Sequence, residues 1–317
     1  MLIGSNRDYN NMLGMGKDQW IKFSLNRSYE NPYPERELEI YLRPKHTSSV
    51  VDWKTAARHV AEDIHESYNN LYVAMSGGID SEFVAKTFFD LGIPFKPIIF
   101  RVSDLNALDI WWAFKWCRDN KIEPVVVDVP IEDWVTRILS ISRKYCCRVS
   151  VVNGSMSFIN DYVIAHGGNL VTGAGFIEYF PDENLDYMTT RSYTWKDSAV
   201  HNADGTSKKG YLMHEPDLIQ QLSYPTMPFN FLSWTPEIVL SYVYHRDMAL
   251  DSAANKAKIM NCLPRPKNMG VPGYFFTLHP RASQWVSIKN GIGTTECAYL
   301  GTREELLTVL TNGVGNA

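Results

Sequence analysis

The sequence predicts an α/β protein built on a doubly wound, mainly parallel sheet, and three observations carry that reading. Apolar runs too short for helices alternate with stretches of helical spacing between about residues 71 and 173. The first of these runs passes through a loop with two adjacent glycines straight into a helix. The composition, 45% hydrophobic and 21% charged over 317 residues, is that of a packed globular chain rather than a disordered or coiled-coil one. Strands alternating with helices of this length are joined by right-handed crossovers, which makes the sheet parallel.

Each element has its own local reason. Trp20–Leu25 and Leu38–Leu42 alternate apolar and polar residues around a cluster of Asn31, Pro32 and Pro34, which predicts two short strands or a hairpin. Asp52 is placed to cap a helix running to about Tyr68, with Ala57, Val60 and Ile64 at helical spacing. Leu71–Met75 reads as a strand, Ser76–Ser81 as a loop, and Glu82–Leu91 as a helix that stops at Gly92. Then come a strand over Pro97–Val102, a helix over Asp109–Asn120 and a strand over Val125–Val129. Helices over Trp134–Tyr145 and Ser157–Ala165 follow, and then a strand over Asn169–Gly173. Glu178–Leu222 is polar and aromatic with little periodicity, the character of a functional loop or lid. Helices are expected again over Pro236–Tyr244, with Ser233 or Thr235 near the cap, and over Arg303–Leu310. The expected organisation is a β-rich extension over 1–50, a nucleotide-binding domain over 51–245 and an irregular and helical extension over 246–317.

Charge and cysteine content narrow the function classes. With 31 Lys plus Arg against 35 Asp plus Glu the net charge is −4, which argues against a broad phosphate-binding surface, so nucleic acid is not indicated as a partner. No stretch reaches the roughly 18 uninterrupted apolar residues of a membrane span, and Met1–Asn10 lacks an apolar signal core, so a cytoplasmic protein is expected. The five cysteines include no C-x-x-C pair, against a zinc knuckle, an iron–sulfur site or a disulfide scaffold.

The chemistry lies in Ser76-Gly77-Gly78-Ile79-Asp80-Ser81. Two glycines allow positive φ and close backbone approach to a ligand, while the next helix offers its positively polarised N-terminus. Ser76 and Ser81 add hydroxyls. Asp80 would repel phosphates unless a divalent cation lay between, so the loop reads as a cradle for a magnesium-bound nucleotide phosphate. It has neither the spacing and lysine of a P-loop nor the third glycine of the dinucleotide fingerprint.

Strand, S-G-G-x-D-S and helix together resemble the PP-loop of the ATP pyrophosphatase superfamily, which includes asparagine, GMP and NAD synthetases, tRNA-modifying enzymes and, with altered loops, sulfonucleotide reductases. The resemblance implies a HUP-like domain, ATP and magnesium as cofactors, and cleavage between the α and β phosphates with adenylation of an acceptor oxygen. Ser76, Gly77, Gly78, Ile79, Asp80 and Ser81 would hold the pyrophosphate, with Asp80 binding the magnesium. Phe100, Arg101 and Val102 would contact the adenine, mostly through the backbone, and Gly173 and Glu178 would meet ATP or acceptor. Arg265 or Lys267, with Lys256 and Lys258 also nearby, would neutralise the α-phosphate. Met227–Ile238 resembles a segment that follows the catalytic sheet in several members, where it mostly initiates a helix and packs. The acceptor is expected to be a small molecule or nucleobase, with ammonia or sulfur free or supplied by a separate protein.

Departures from individual members matter too. Position 2 is Leu, so the N-terminal cysteine of glutamine-dependent asparagine synthetases has no counterpart. Glu296-Cys297 matches only two residues of the Glu-Cys-Gly-[Ile/Leu]-His nucleophile of sulfonucleotide reductases, leaving a reductase using Cys297 as the rival reading and a non-catalytic nucleotide-binding module as a third. Trp112 and Trp116, at i, i+4, are expected in core or interface, with Trp111 beside them. Cys146-Cys147 beside Lys144 and Arg148 read as an inert pair ahead of an activated thiol, and His201 and His214 in the long loop are candidates to contact substrate but lack the spacing of a metal site.

Overall fold

The computed structural model describes residues 21–25, 38–42, 52–145, 151–173, 178–180, 210–214, 229–235, 237–238, 241, 260–263 and 297–301. β1 (Ile21–Leu25) and β2 (Leu38–Leu42) form the expected antiparallel pair, with Phe23 opposite Ile40. α1 (Trp53–Ser67) begins where Asp52 accepts a hydrogen bond from Thr55 N–H at 3.0 Å. The Thr55 hydroxyl, donating to the same carboxylate at 2.6 Å, does most to hold the Asp52 carboxyl below its ordinary range, and the Thr55 N–H adds to it.

The central sheet contains β3 (Leu71–Ala74), β4 (Lys96–Val102), β5 (Val125–Val129), β6 (Asn169–Thr172) and a two-residue β9 (Phe229–Asn230). Their order is β5-β4-β3-β6-β9, and every pairing is parallel. The connecting helices are α2 (Ile79–Asp90), α3 (Ala107–Asp119), α4 (Ile131–Tyr145) and α5 (Val151–Ala165). The chain steps from β3 to β4 to β5 on one side, then crosses back to place β6 on the other side of β3. Right-handed crossovers running in opposite directions put their helices on opposite faces, which is the doubly wound arrangement.

Alternation along the strands divides the core accordingly. Leu71, Val73, Met75, Ile99 and Val171 face α1, α2 and α3, together with Phe231, Leu232, Trp234, Ile238 and Met260 from the last third of the chain. Tyr72, Ala74, Ile98, Phe100, Val102 and Leu170 face α4 and α5, where Trp134, Val135, Ile138, Ile159 and Val163 cover them. Phe88 is fully buried against Phe95 and Phe231.

Differences from expectation have local causes. α4 starts at Ile131, three residues early, since Pro130 precedes it and Glu132 and Asp133 suit a first helical turn. α5 starts at Val151, six residues before the expected Ser157, and accommodates Gly154 within it. Within Glu178–Leu222, expected to be irregular, β7 (Glu178–Phe180) and β8 (Gly210–His214) pair antiparallel. β8 also pairs with β10 (Cys297–Gly301), a strand the sequence pattern does not announce. The helix expected over Arg303–Leu310 lies outside the described residues. Among the described residues no helix is long and apolar enough to cross a membrane.

Candidate functional site

β3 keeps its register with β4 through Met75, whose N–H donates to the Ile98 carbonyl at 2.8 Å, and the chain then leaves the sheet. Gly77 takes φ +83°, and a Cβ there would lie 1.8 Å from the Asp109 carbonyl oxygen at the start of α3. Only glycine satisfies both conditions. The two serines then close the loop on itself. Ser76 N–H donates to Ser81 Oγ at 3.2 Å, Ser81 Oγ donates to the Gly78 carbonyl at 2.9 Å, and Gly78 N–H donates to Ser76 Oγ at 3.2 Å. The two hydroxyl oxygens are themselves 3.2 Å apart.

α2 starts immediately after this ring, with Gly78 at its cap and no side-chain capping bond. Helix geometry leaves the first-turn N–H groups, those of Ile79, Asp80 and Ser81, without intrahelical acceptors. Asp80 and Glu82 lie in that first turn, where the helix dipole favours negative charge. Asp80 is half-buried, whereas Ser81 and Glu82 are buried.

Gly173 follows β6 directly. A Cβ there would stand 2.8 Å from the Asp80 carbonyl carbon and 3.0 Å from Ser81 N, so the end of β6 rests on the junction between loop and helix. β3 and β6 are the neighbours at which the direction of winding reverses, and α/β sheets bind ligands at the carboxyl ends of such strands. The fold thus gathers Ser76, Gly77, Gly78, Ile79, Asp80, Ser81 and Gly173 at one switch point.

The Phe100 and Val102 side chains lie in the core, Phe100 stacking on Phe158 at 5.9 Å. Arg101 points outward and grips Asp128 of β5 with two nitrogens, one bond measuring 2.7 Å. This pairing raises the Arg101 guanidinium and lowers the Asp128 carboxyl. What the end of β4 can offer a ligand is therefore its backbone. There Asn106 Nδ2 donates to the Phe100 carbonyl at 2.8 Å, and Asn106 Oδ1 accepts from Val102 N–H at 3.0 Å. Sequence reading missed Asn106, because an Asn before a helix signals a cap.

Glu178 opens β7 opposite Leu212. Arg265 and Lys267, with Lys256 and Lys258, lie outside the described residues. Just before them, Met260 is buried against the α1 and α2 face, and Cys262 Sγ lies 3.9 Å from the Ile79 carbonyl oxygen at the start of α2. Met260 and Cys262, apolar residues in a polar stretch, were the available signal. Of the Met227–Ile238 segment, described residues meet α1: Trp234 Nε1 donates to Asp63 at 2.9 Å, and Glu237 pairs with His59 at 2.9 Å. Trp116 is buried and Trp111 half-exposed, in edge contact with Trp112.

Magnesium fits this donor set as an ion carried by phosphates. Asp80 supplies one carboxylate in the loop that also carries the Ser76 and Ser81 hydroxyls, and among the described residues no three His, Cys, Asp or Glu side chains gather to hold a metal alone.

No family model matches the chain, and no curated protein matches it. Solved structures that match include an NH3-dependent NAD synthetase from Campylobacter jejuni, 20% identical at a TM-score of 0.31. The match covers 39% of this chain and 57% of that one. An NMN synthetase from Francisella tularensis matches at 16% identity and a TM-score of 0.31, over 38% of this chain and 54% of that one. The chain thus spans little more than half the length of either synthetase.

Proposed function

We propose that this chain is a magnesium-dependent ATP pyrophosphatase of the PP-loop type, which adenylates an acceptor oxygen for later amidation or thiolation. The carrying observation is the closed ring of Ser76, Gly78 and Ser81 at the uncapped start of α2, with Asp80 in its first turn and Gly173 against it. Such a site favours a compact polyanion, and the β and γ phosphates of ATP supply one.

In the proposed reaction the acceptor oxygen attacks the α-phosphorus, a new O–P bond forms, and the bridging bond to the β-phosphate breaks to release pyrophosphate. Ammonia or a sulfur nucleophile then displaces AMP. Magnesium, when bound, neutralises charge that builds on the leaving pyrophosphate. Ser76 and Ser81 hydrogen-bond that pyrophosphate, first-turn N–H groups of α2 point at it, and Asp80 holds the ion. Gly173 lets β6 approach closely enough to fix Asp80. Arg265 and Lys267 follow Cys262 by three and five residues in the sequence. They are the proposed cations for the α-phosphate. The proposed acceptor is a small molecule or nucleobase, met by residues at and beyond Glu178, with the nitrogen or sulfur donor free or carried by a separate protein.

The test is α-labelled ATP with magnesium, incubated with and without fractions of a metabolite and nucleoside extract. AMP and pyrophosphate, raised by one fraction and cut about a hundredfold or more in Asp80→Asn, are the expected result. Release of ADP alone, or turnover that survives Asp80→Asn, would sink the proposal. Activity unchanged in Cys297→Ser separates this reading from a reductase.

A further inference from the structure

The end of β4 carries a polar pair whose occupant defines what the site reads. Alternate residues of a parallel strand present their N–H and C=O groups to the same neighbour. On the β3 side the Ile98 carbonyl is taken by Met75 N–H, after which β3 turns off into the phosphate loop. The Phe100 carbonyl and Val102 N–H follow on that same side, past the point where β3 ends. One acceptor and one donor thus stand side by side facing the loop.

Both are engaged by Asn106. Since the Phe100 carbonyl can only accept and Val102 N–H can only donate, the carboxamide orientation is forced: Nδ2 to Phe100 at 2.8 Å, Oδ1 to Val102 at 3.0 Å. Asn106 is also the cap residue of α3, yet its side chain makes no bond to its own helix. Its backbone, at φ −109° and ψ 18°, lies away from the extended conformation a capping Asn adopts. The side chain thus serves the strand instead of the helix it precedes.

Resting on the ATP-binding reading above and on the adenine contact that the resemblance implies for the Phe100 and Val102 backbone, we propose that Asn106 is a displaceable gate whose carboxamide competes with the base for that pair. Adenine presents an amino donor beside a ring-nitrogen acceptor, the same order as the carboxamide. Hypoxanthine and guanine present the reverse, a carbonyl acceptor beside an N–H donor, and set like against like at both positions. A polar site that rejects a ligand by leaving buried groups mispaired discriminates strongly. Displaced, the Asn106 side chain gains a second partner set. Rotation of ψ into the extended region brings it to the first-turn N–H groups of α3, where Asn is among the best caps. Asn106 is a positioning residue: it sets how freely the backbone pair is offered.

The experiment uses the full chain with magnesium and three probes: ATP, inosine triphosphate and inorganic pyrophosphate. Affinities are measured by calorimetry, and the Asn106 side-chain amide is followed by nitrogen-15 NMR. ATP should bind at least about tenfold more tightly than inosine triphosphate. Saturating ATP should shift the Asn106 amide signals, whereas pyrophosphate, which fills the loop alone, should leave them in place. Asn106→Ala should tighten ATP by about three- to tenfold, since no competitor must be displaced, and leave pyrophosphate unchanged. Unmoved Asn106 signals at saturating ATP, or equal affinity for the two triphosphates, would overturn the gate; the NMR reading on the unaltered chain stands even if the variant folds poorly. ATP cleaved to AMP with Asn106 unmoved defeats the gate and spares the proposed function, whereas no binding of ATP or pyrophosphate defeats both.

Discussion

Gly77 and Gly92 both have positive φ, at +83° and +67°, but their surroundings differ. A Cβ on Gly77 would overlap the Asp109 carbonyl at 1.8 Å, whereas Gly92 has nothing within 4 Å. Gly92→Ala should therefore cost about 1 kcal/mol of backbone strain, and Gly77→Ala about 3 kcal/mol or more, because steric displacement of α3 adds to that strain. Paired urea-unfolding curves check this, and equal costs would show that α3 gives way freely. Burial pushes the Cys117 thiol up from 9.0 to about 11. A raised thiol favours the folded state while it stays protonated, so its contribution is complete below pH 9 and fades as pH rises towards 11. Cys117 should accordingly ignore a disulfide reagent at pH 8 until the chain unfolds, which a thiol titration with and without denaturant reads directly. At this scale the loop from Ser76 to Ser81 was legible because every residue in it answers a local demand for charge, hydroxyl or backbone freedom. Asn106 was not, since its partners are set by where β3 ends, which its own neighbours do not reveal.

Among the elements, those built from local periodicity were legible and those built from distant pairing were not. α1, β3, β4 and β5 lie within a residue or so of expectation, because capping by Asp52 and short apolar runs are written into contiguous sequence. β8 and β10 pair across more than eighty residues, and strands of five residues with such remote partners leave little trace in their neighbours. The 3-10 turn Phe231–Ser233 and the helical residues after it were expected to pack, and the buried Phe231, Leu232, Trp234 and Ile238 do so beneath α1 and α2. Trp234→Phe keeps the ring but removes the donor that Asp63 accepts from at 2.9 Å. The expected loss is about 1–3 kcal/mol, read from denaturant midpoints. A loss no greater in Trp234→Phe with Asp63→Ala than in Asp63→Ala alone would assign it to this bond, whereas additive losses would assign it to packing.

For the whole molecule, the class of fold was legible from the alternation of strand and helix, and the order β5-β4-β3-β6-β9 was not, because nothing local says on which side of β3 the chain returns. That return creates the switch point and with it the meeting of Gly173 and Asp80. A chain ending at residue 225 would lack Phe231, Leu232, Trp234, Ile238 and Met260, and so should expose the α1 and α2 face. Strong binding of a hydrophobic dye and rapid proteolysis within α1 are expected of it, while resistance equal to that of the full chain would show that those residues only decorate a finished core. The two faces of the sheet are also unequal in time. Among the described residues, those of the face under α4 and α5 fall between Tyr72 and Leu170, whereas the opposite face takes residues from Trp53 to Met260. As the chain emerges from a ribosome, one side of the sheet can close some ninety residues before the other has received its last piece, leaving a half-built molecule whose sticky side is the one a chaperone would have to shield.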